Sequence, residues 1–326
     1  MEDKFRLVFF FAVAFITTYF VILKLNKLAL KNGIVGKDMN KSSRPKLFHI
    51  AGIGIVTGFF LSSMLALAFL VFSLDGSGIS LNHSLAILLT FLSLAFLGLV
   101  DDVFDIPQWV KALLPMFASI PFIVLKAVGS TVVYIPFIGN VDLGLFYLFV
   151  IIPLAISGSA NLSNIFAGIN GLEALLSIIM YATSLLLGIY FSKPHLTLFS
   201  SIMLGSLIAF FCFNKYPSKV FPGDVGTLVM GGTLSALAIV DNLESFVPIL
   251  FIPHLVDLVI KLKNGLPSKN WWLEEKGGYL IPPKKPISLL QHTVKKIGKI
   301  KEEKLVLLFA FVEMLLAVVA ISIIVF

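Results

Sequence analysis

Charged residues are scarce in this chain. Only 13% of its 326 residues are Asp, Glu, Lys or Arg, whereas 58% are hydrophobic, and the mean hydropathy is +0.99. Soluble domains carry about 25% charged residues, because their surface faces water. The deficit excludes an ordinary soluble domain and indicates a polytopic membrane protein.

Cysteine is almost absent as well. Cys212 is the single cysteine, and it lies within an apolar run. One thiol supports neither a disulfide framework nor a multi-cysteine metal site. The net charge of +7 is compatible with nucleic acid or acidic lipid. In a membrane protein such an excess first reports orientation, so we expect a lipid bilayer and no nucleic acid as partner.

Long apolar stretches dominate what is present. A helix that crosses the hydrocarbon needs about 20 mainly apolar residues, and charge clusters and Gly/Pro breaks delimit ten of them. The predicted spans cover residues 5–25, 48–72, 83–100, 109–128, 144–160, 168–190, 196–213, 225–241, 243–263 and 303–325. The first is too long for the apolar core of a signal peptide, so we retain it. The remainder is too small for a soluble domain, and 1–326 is treated as one integral membrane domain.

The distribution of cations predicts the orientation. Of the 25 Lys and Arg residues, 21 lie in odd-numbered loops of the ten-span arrangement, and 4 lie in the even loops and the two ends. By the positive-inside rule, the odd loops face the cytoplasm. The expected fold is therefore an all-α polytopic membrane protein with ten transmembrane helices and both termini outside.

Two loops suggest local structure. Residues 129–142 combine β-branched and aromatic residues with a Gly139-Asn140 turn, which predicts a short extracytoplasmic β-hairpin. Residues 264–301 form a long cytoplasmic loop with Trp271, Trp272 and many lysines. It is too short for a domain, and we interpret it as a lid or substrate-facing loop.

An acidic cluster follows the third predicted span. Asp101 and Asp105 are four residues apart and share a helix face, whereas Asp102 lies about 100° away. Carboxylates this close to hydrocarbon repel one another unless a cation relieves them. The alternative is a solvated helix end, which the other polar groups on the same side of the membrane disfavour.

Asparagines interrupt the apolar pattern between residues 159 and 173. Asn161 and Asn164 are three residues apart, so both amides face one side of a helix. Asn170 and Glu173 follow closely. These groups suit either neutral oxygen ligands for a substrate or metal, or merely a loop with capping residues and a glutamate that interacts with the helix dipole.

Asp224 stands at the start of the eighth predicted span, after a Pro-Gly turn. Taken alone it is a helix cap or a metal ligand. Together with Asp101, Asp102 and Asn164 it supplies an oxygen-only ligand set that suits Mg²⁺ or Mn²⁺ shared with substrate phosphates.

Lysines supply the complementary charge. Lys41, beside Asp38 and Asn40, and Lys111, beyond the acidic cluster, are placed to neutralise phosphate oxygens at the same face. The ninth span adds a polar trio, His254, Asp257 and Lys261. Ionisable groups within a membrane are costly and indicate a functional role, although an Asp257–Lys261 pair at i,i+4 explains part of the trio. Glu313, deeper in the last span, has no predicted partner.

These motifs, in this order, resemble the polyprenyl-phosphate N-acetylhexosamine-1-phosphate transferase family. The resemblance covers most of the chain and is strongest to the branch that transfers GlcNAc-1-phosphate from UDP-GlcNAc to dolichyl phosphate. Its motifs are KDMNK (37–41), VDDV (100–103), KALLP (111–115), NIFAGINGLEA (164–174) and YPSKVFPGD (216–224). The chain departs from that branch at Phe48-His49, where the branch has Pro-Glu, and in a long loop without its Arg/His-rich sugar-recognition motif.

The resemblance implies ten transmembrane helices, a cytoplasmic active site and a Mg²⁺ requirement, with Mn²⁺ as a substitute. Asn164 and Asp224 match its metal-binding residues, Asp101 and Asp102 its acidic pair, and Lys111 a lysine near the phosphates. Asn170 matches a residue at the uridine end of the donor. We add Lys41 to the catalytic set, and the remaining candidate substrate-binding residues are Asp38, Asn40, Asn161, Glu173, Trp271 and Trp272.

The function that this implies is transfer of a HexNAc-1-phosphate, first of all GlcNAc-1-phosphate, from a UDP-sugar to a polyprenyl or dolichyl phosphate, with release of UMP. The lipid phosphate would attack in line. A transporter of nucleotide-sugars or organic anions is the alternative, but it should place polar residues at the bilayer midplane within an internal repeat. The compact long loop favours a prokaryotic cell membrane, an archaeal one included, over the endoplasmic reticulum. A homodimer would be typical of the family.

Overall fold

The computed structural model describes residues 2–73, 78–104, 106–135, 138–266 and 272–325. Most of them are helical. In chain order the helices are α1 (Glu2–Asn32), α2 (Gly52–Ser73), α3 (Leu81–Phe104), α4 (Gln108–Leu113), α5 (Ile120–Val124), α6 (Gly144–Phe146), α7 (Ile152–Phe166), α8 (Leu172–Tyr190), α9 (Pro194–Asn214), α10 (Gly223–Val240), α11 (Val247–Leu250), α12 (Ile252–Lys263), α13 (Leu289–Ile297) and α14 (Glu302–Val325). Short helical segments of other types join several of them: 3₁₀-helix at Leu114–Ser119 and Glu244–Phe246, and π-helix at Tyr147–Ile151.

Within the described residues, eight helices are long and apolar enough to cross a membrane, and a ninth span results if α11 and α12 count as one helix bent by 56°. The sequence predicts ten. The missing one is the predicted span 109–128, where Gln108–Val124 is shorter and is interrupted by Pro115 and Pro121, each at the start of a new helical segment. Proline lacks the N–H that would continue the helix. A polytopic helical membrane protein is thus confirmed, whereas ten spans and the orientation of the termini stay predictions.

Three antiparallel strand pairs complete the described secondary structure. They are β1 (Val35–Lys37) with β2 (Lys46–Phe48), β3 (Val132–Ile135) with β4 (Gly139–Asp142), and β5 (Glu274–Lys276) with β6 (Tyr279–Ile281). The second pair lies where the sequence predicts a hairpin. However, Gly139 is already paired with Ile135, so the chain reverses earlier than the predicted Gly139-Asn140 turn. The side of the membrane on which this hairpin lies stays a prediction.

Helix α10 lies at the centre of the bundle. Every residue from Val225 to Val240 is buried, and α2, α3, α7, α8 and α9 all pack against it. Small residues make this enclosure possible, because they let helix backbones approach closely. Close packing matters in a membrane, since apolar side chains gain no hydrophobic free energy when they move from lipid to a helix interface. On α3, a Cβ added at Gly98 would lie 2.5 Å from the carbonyl oxygen of Asp224 and from the Cα of Val225. Gly98 therefore brings the end of α3 against the start of α10.

Candidate active site

A cavity of about 240 Å³ lies where the 33–51 loop, the end of α7 and the start of α10 meet. Six predicted site residues line it: Asp38, Asn40, Asn164, Asn170, Glu173 and Asp224. A much smaller pocket adjoins it and is lined in part by Asp101, Lys111, Asn161 and again Asn164. Residues far apart in sequence thus converge on one end of the helix bundle.

Lys111 is the cation at this convergence. Its Nζ lies 2.6 Å from Asp101 Oδ2 and 3.4 Å from Asp224 Oδ2, and its side chain is 20% exposed. The chain turns back after α3, and Asp101 Oδ1 fixes that turn by accepting the Ile106 N–H at 2.8 Å. The short helix α4 then carries Lys111 over the two carboxylates. The predicted relief of the acidic cluster by a cation is present in this geometry.

Asp102 contacts the backbone of α10 instead. Its Oδ1 accepts the Asp224 N–H at 2.9 Å, and its Oδ2 accepts the Val225 N–H at 3.0 Å. These are amides that a helix cannot satisfy internally at its first turn, so Asp102 caps α10 from a neighbouring helix. Gly223, at φ +65°, completes the fit, since a Cβ there would lie 2.5 Å from Asp102 Oδ2. Asp102 therefore fixes the position of Asp224.

The two asparagines of α7 share the smaller pocket, as their spacing predicts, but their hydrogen bonds differ. Asn161 Nδ2 donates to the Ser157 carbonyl at 2.9 Å and is 3.4 Å from the Ala112 carbonyl, so it joins α7 to α4. Within the described part of the chain, no hydrogen bond joins the Asn164 amide, which lines both pockets. The Asn164 amide oxygen and the Asp224 carboxylate are oxygen donors of the kind that a metal ion binds, and both residues line the larger cavity.

Asn170 is held from two sides at the other end of the cavity. Its Nδ2 donates to Asp38 Oδ2 at 3.1 Å, and its N–H donates to Glu302 Oε1 at 2.8 Å. Its Oδ1 is buried and has no hydrogen-bond partner among the described residues. A buried acceptor without a partner is costly, so this oxygen is suited to an N–H of a bound ligand.

Lys41 is already paired. Its ammonium contacts Glu302 Oε2, lies 2.9 Å from Glu275 Oε2, and sits 4.4 Å from the ring centre of Tyr216. Burial disfavours the charge, but the two carboxylates outweigh burial and raise the pKa of Lys41. Lys41 lines neither of the two pockets described above. Glu302 and Glu275 belong to this region although the sequence alone gave no reason to choose them, because a glutamate at a helix start resembles a dipole partner.

The 272–301 part of the long loop is tied to the cavity rim through Asn40. Asn40 Oδ1 accepts the Leu273 N–H at 2.8 Å, and its carbonyl accepts the Glu275 N–H at 2.9 Å, while its Nδ2 donates to the Gly168 carbonyl. The Trp272 carbonyl accepts a hydrogen bond from Gln291 Nε2 at 3.1 Å. Trp272, a predicted substrate-binding residue, does not line the cavity. Trp271 and Asp105 lie outside the described residues.

The polar trio of the ninth span forms two pairs, one within the span and one with Glu173 of α8. Lys261 Nζ lies 2.7 Å from Asp257 Oδ2, which confirms the predicted i,i+4 pair. His254 Nε2 lies 3.1 Å from Glu173 Oε2, with the Phe166 and Phe251 rings beside it. The pair is enclosed by helices, so it orients Glu173 from behind the cavity wall.

Glu313 lies in the middle of α14. It is buried, and neither carboxylate oxygen has a hydrogen-bond partner among the described residues.

Comparisons with known proteins find relatives that match most of the chain. The description of glycosyl transferase family 4 fits residues 84–242. A candidate UDP-N-acetylglucosamine–dolichyl-phosphate N-acetylglucosaminephosphotransferase of Saccharolobus solfataricus is 37% identical over 95% of this chain and 93% of its own length. One of Sulfolobus acidocaldarius is 36% identical over 95% and 93%, and the enzyme of that name in Dictyostelium discoideum is 32% identical over 77% and 70%.

Similarity of this extent runs through the helices that build the cavity, including α3, α7 and α10. It confirms the resemblance that the five motifs indicate. The chain belongs to glycosyl transferase family 4, among the polyprenyl-phosphate N-acetylhexosamine-1-phosphate transferases.

Proposed function

We propose that this protein transfers a HexNAc-1-phosphate, first of all GlcNAc-1-phosphate, from a UDP-sugar to a polyprenyl or dolichyl phosphate and releases UMP. The observation that carries the proposal is the meeting of Lys111, Asp101 and Asp224 beside a cavity that several Asp and Asn residues line, at one end of membrane helices. Such a place gives a water-soluble, phosphate-rich donor and a membrane-bound acceptor access to the same charges. The similarity to named GlcNAc-phosphotransferases supports the choice of sugar and lipid.

The residues present fit a Mg²⁺ ion. Asp224 and Asn164 offer a carboxylate and a neutral amide oxygen on one cavity wall. Mg²⁺ is commonly held by one or two protein carboxylates and completes its shell with water and substrate phosphates. Among the described residues no group of three or more His, Cys, Asp or Glu side chains forms a metal-ligand set, so Asp224 and Asn164 would share the ion with substrate phosphates and water. When bound, the ion would neutralise pyrophosphate charge.

The chain's own contribution is positioning and charge. An oxygen of the lipid phosphate attacks the sugar-bearing phosphorus, a new P–O bond forms, the bond to the UMP oxygen breaks, and UMP leaves. The second ionisation of a phosphate monoester has a pKa of about 6, so the attacking oxygen needs no strong base. Lys111 offers positive charge to the phosphates, Asp101 holds Lys111 in place, and Asp102 holds the start of α10. Bringing two reactants together in this way supplies much of the rate.

Asp38, Asn40 and Asn170 line the cavity. We assign this part of it to the donor nucleotide, because Asn170 matches a family residue at the uridine end of the donor. Lys41 contributes through Glu302 and Glu275 rather than by direct phosphate contact. The 21-to-4 partition of Lys and Arg in the ten-span arrangement supports a position of this end of the bundle on the cytoplasmic side of a cell membrane. A transporter is not favoured, because Asp101, Asn164, Asp224 and Glu302 all lie at helix ends instead of mid-span.

Purified protein in lipid or detergent should release UMP when it receives UDP-GlcNAc, a polyprenyl or dolichyl phosphate and Mg²⁺. Chelation with EDTA should stop the reaction, and Mg²⁺ or Mn²⁺ should restore it. UMP release and formation of the lipid-linked sugar are measured together, since each controls for the other. The absence of UMP with every UDP-HexNAc tested, together with uptake of the nucleotide-sugar into liposomes, would contradict the enzyme assignment in favour of transport.

Changing Asp102 to Asn should lower kcat by about 100-fold and also lower the thermal midpoint. An amide places an NH₂ group against one of two backbone N–H donors, so a charge-assisted hydrogen bond is lost and Asp224 shifts. Turnover and thermal unfolding are measured on the same preparation.

Asp142→Asn is the matched control, because that exposed carboxylate also accepts a backbone N–H, from Gly144 at 3.0 Å, but lies on the β3–β4 hairpin away from the cavity. The control should retain kcat. Wild-type kcat in the Asp102 variant would refute its role in placing Asp224.

A further inference from the structure

Glu302 is a buried carboxylate at the first residue of α14, with its side chain 1% exposed. Both of its oxygens are used: Oε1 accepts the Asn170 N–H at 2.8 Å, and Oε2 pairs with Lys41. Burial of a charge is tolerated only when it is paired and hydrogen-bonded. The first partner leads to the cavity and the second leads to the long loop.

Asn170 connects Glu302 to the cavity wall. Its backbone is held by Glu302 and its side chain by Asp38, whose other oxygen accepts the Asn40 N–H at 3.1 Å. Two carboxylates from segments far apart in sequence therefore determine where the Asn170 side chain points. Its Oδ1 is buried and has no hydrogen-bond partner among the described residues.

Lys41 connects Glu302 to the strand β5. Its ammonium also lies 2.9 Å from Glu275, and the Glu275 N–H is bound by the Asn40 carbonyl next to Lys41. The start of α14, the 38–41 loop and β5 are thereby tied together by one buried cation and two carboxylates. Removal of either carboxylate leaves the cation with less compensation.

We propose that Glu302 is a positioning residue for the sugar-nucleotide donor: it fixes the Asn170 wall of the cavity and, through Lys41, ties that wall to the 272–281 segment. This inference rests on the proposed function for the identity of the ligand. The walls concerned are polar, being formed by Asp38, Asn40 and Asn170, so they serve the donor rather than the apolar tail of the acceptor. Glu302 itself touches no reacting atom and acts through Asn170.

Glu302→Ala removes the acceptor of the Asn170 N–H and one of the two carboxylates around Lys41. The KM for UDP-GlcNAc should rise about tenfold to hundredfold, as expected for the loss of a hydrogen bond to a charged group. The KM for the lipid phosphate should stay within about twofold of wild type, because the acceptor does not use this wall. Glu302→Gln, which keeps an oxygen for the Asn170 N–H, should show a smaller increase.

Glu303→Ala is the matched control, since Glu303 is the next residue of the same helix and is exposed. It should leave both KM values unchanged. A second comparison uses Lys41→Met, which strands the buried Glu302 charge, and the double variant Lys41→Met/Glu302→Gln, which removes both charges. The double variant should bind UDP-GlcNAc more tightly than Lys41→Met alone, and this rescue is not expected of a residue with a merely structural role.

Hydrogen exchange of the full-length protein tests the contact itself without turnover. The Asn170 amide should exchange faster in Glu302→Ala and at the wild-type rate in Glu303→Ala. Unchanged exchange, or an unchanged donor KM in a folded Glu302→Ala variant, overturns the inference. An absence of UMP release from the wild type would instead overturn the proposed function, while the exchange result would still decide whether Glu302 holds the Asn170 wall.

Discussion

Replacing Asp224 with Asn is expected to lower turnover by roughly 1,000-fold or more while the protein remains folded. The side chain keeps its shape but loses the negative charge that is proposed to hold a metal ion, and that lies 3.4 Å from Lys111 Nζ. The start of α10 should persist, because Asp102 binds the backbone N–H of Asp224 and not its side chain. UMP release at saturating substrates measures the loss.

Asp142→Asn serves as the control here too, because it makes the same chemical change on an exposed hairpin residue. Circular dichroism and the thermal midpoint establish that both variants fold. Retention of more than about a tenth of wild-type activity by Asp224→Asn would exclude this residue as a metal ligand. It would direct attention to Asp101, the other carboxylate beside Lys111.

Replacing Gly98 with Ala should have the second largest effect, although Gly98 carries no chemistry. The added Cβ would lie 2.5 Å from both the Asp224 carbonyl oxygen and the Val225 Cα, and these are backbone atoms that cannot turn aside. Helices α3 and α10 must then separate, which costs about 1–3 kcal/mol of stability. A displacement of about 1 Å at reacting groups lowers turnover by about 100-fold, so we expect at least that loss of kcat.

Gly158→Ala is the control, because Gly158 also lies inside a membrane helix but a Cβ there meets no atom within 4 Å. It should retain activity and gain up to about 1 kcal/mol, since alanine favours a helix more than glycine does. Thermal unfolding and UMP release are measured on both variants. If Gly98→Ala behaved like Gly158→Ala, close packing of α3 on α10 would not be needed for the site.

The convergence of polar groups could be predicted from the sequence. Carboxylates and amides are few in this apolar chain, and the alternation of loop charges predicts which loops share one side of the membrane. The pattern and the family resemblance together predict Asp38, Asn164, Asn170 and Asp224 as site residues, and all four line the cavity. The i,i+4 pair of Asp257 and Lys261 needed only the helical repeat.

The division of roles within the site could not be predicted. Asp101 and Asp102 are adjacent and chemically identical, yet one contacts Lys111 and the other the backbone of α10. That difference depends on where α10 starts in space, which no local pattern encodes. Lys41 and Glu302 are separated by 261 positions, so no sequence pattern predicts that they pair. The predicted span 109–128 differs from the structure for a local reason, since hydropathy is insensitive to the two prolines that interrupt 108–124.

The enclosure of α10 also bears on the order in which the molecule is built. The five long helices that pack around it, α2, α3, α7, α8 and α9, precede it along the chain, and the short α11, which also contacts it, follows. During synthesis from the N-terminus, α10 therefore emerges after these five helices. It can pack at once against helices that are already in the bilayer, so the backbone at its glycines need not stay exposed to lipid. Asp224 would reach its place beside Asp101 and Lys111 in the same step, before α14 brings Glu302 to Asn170.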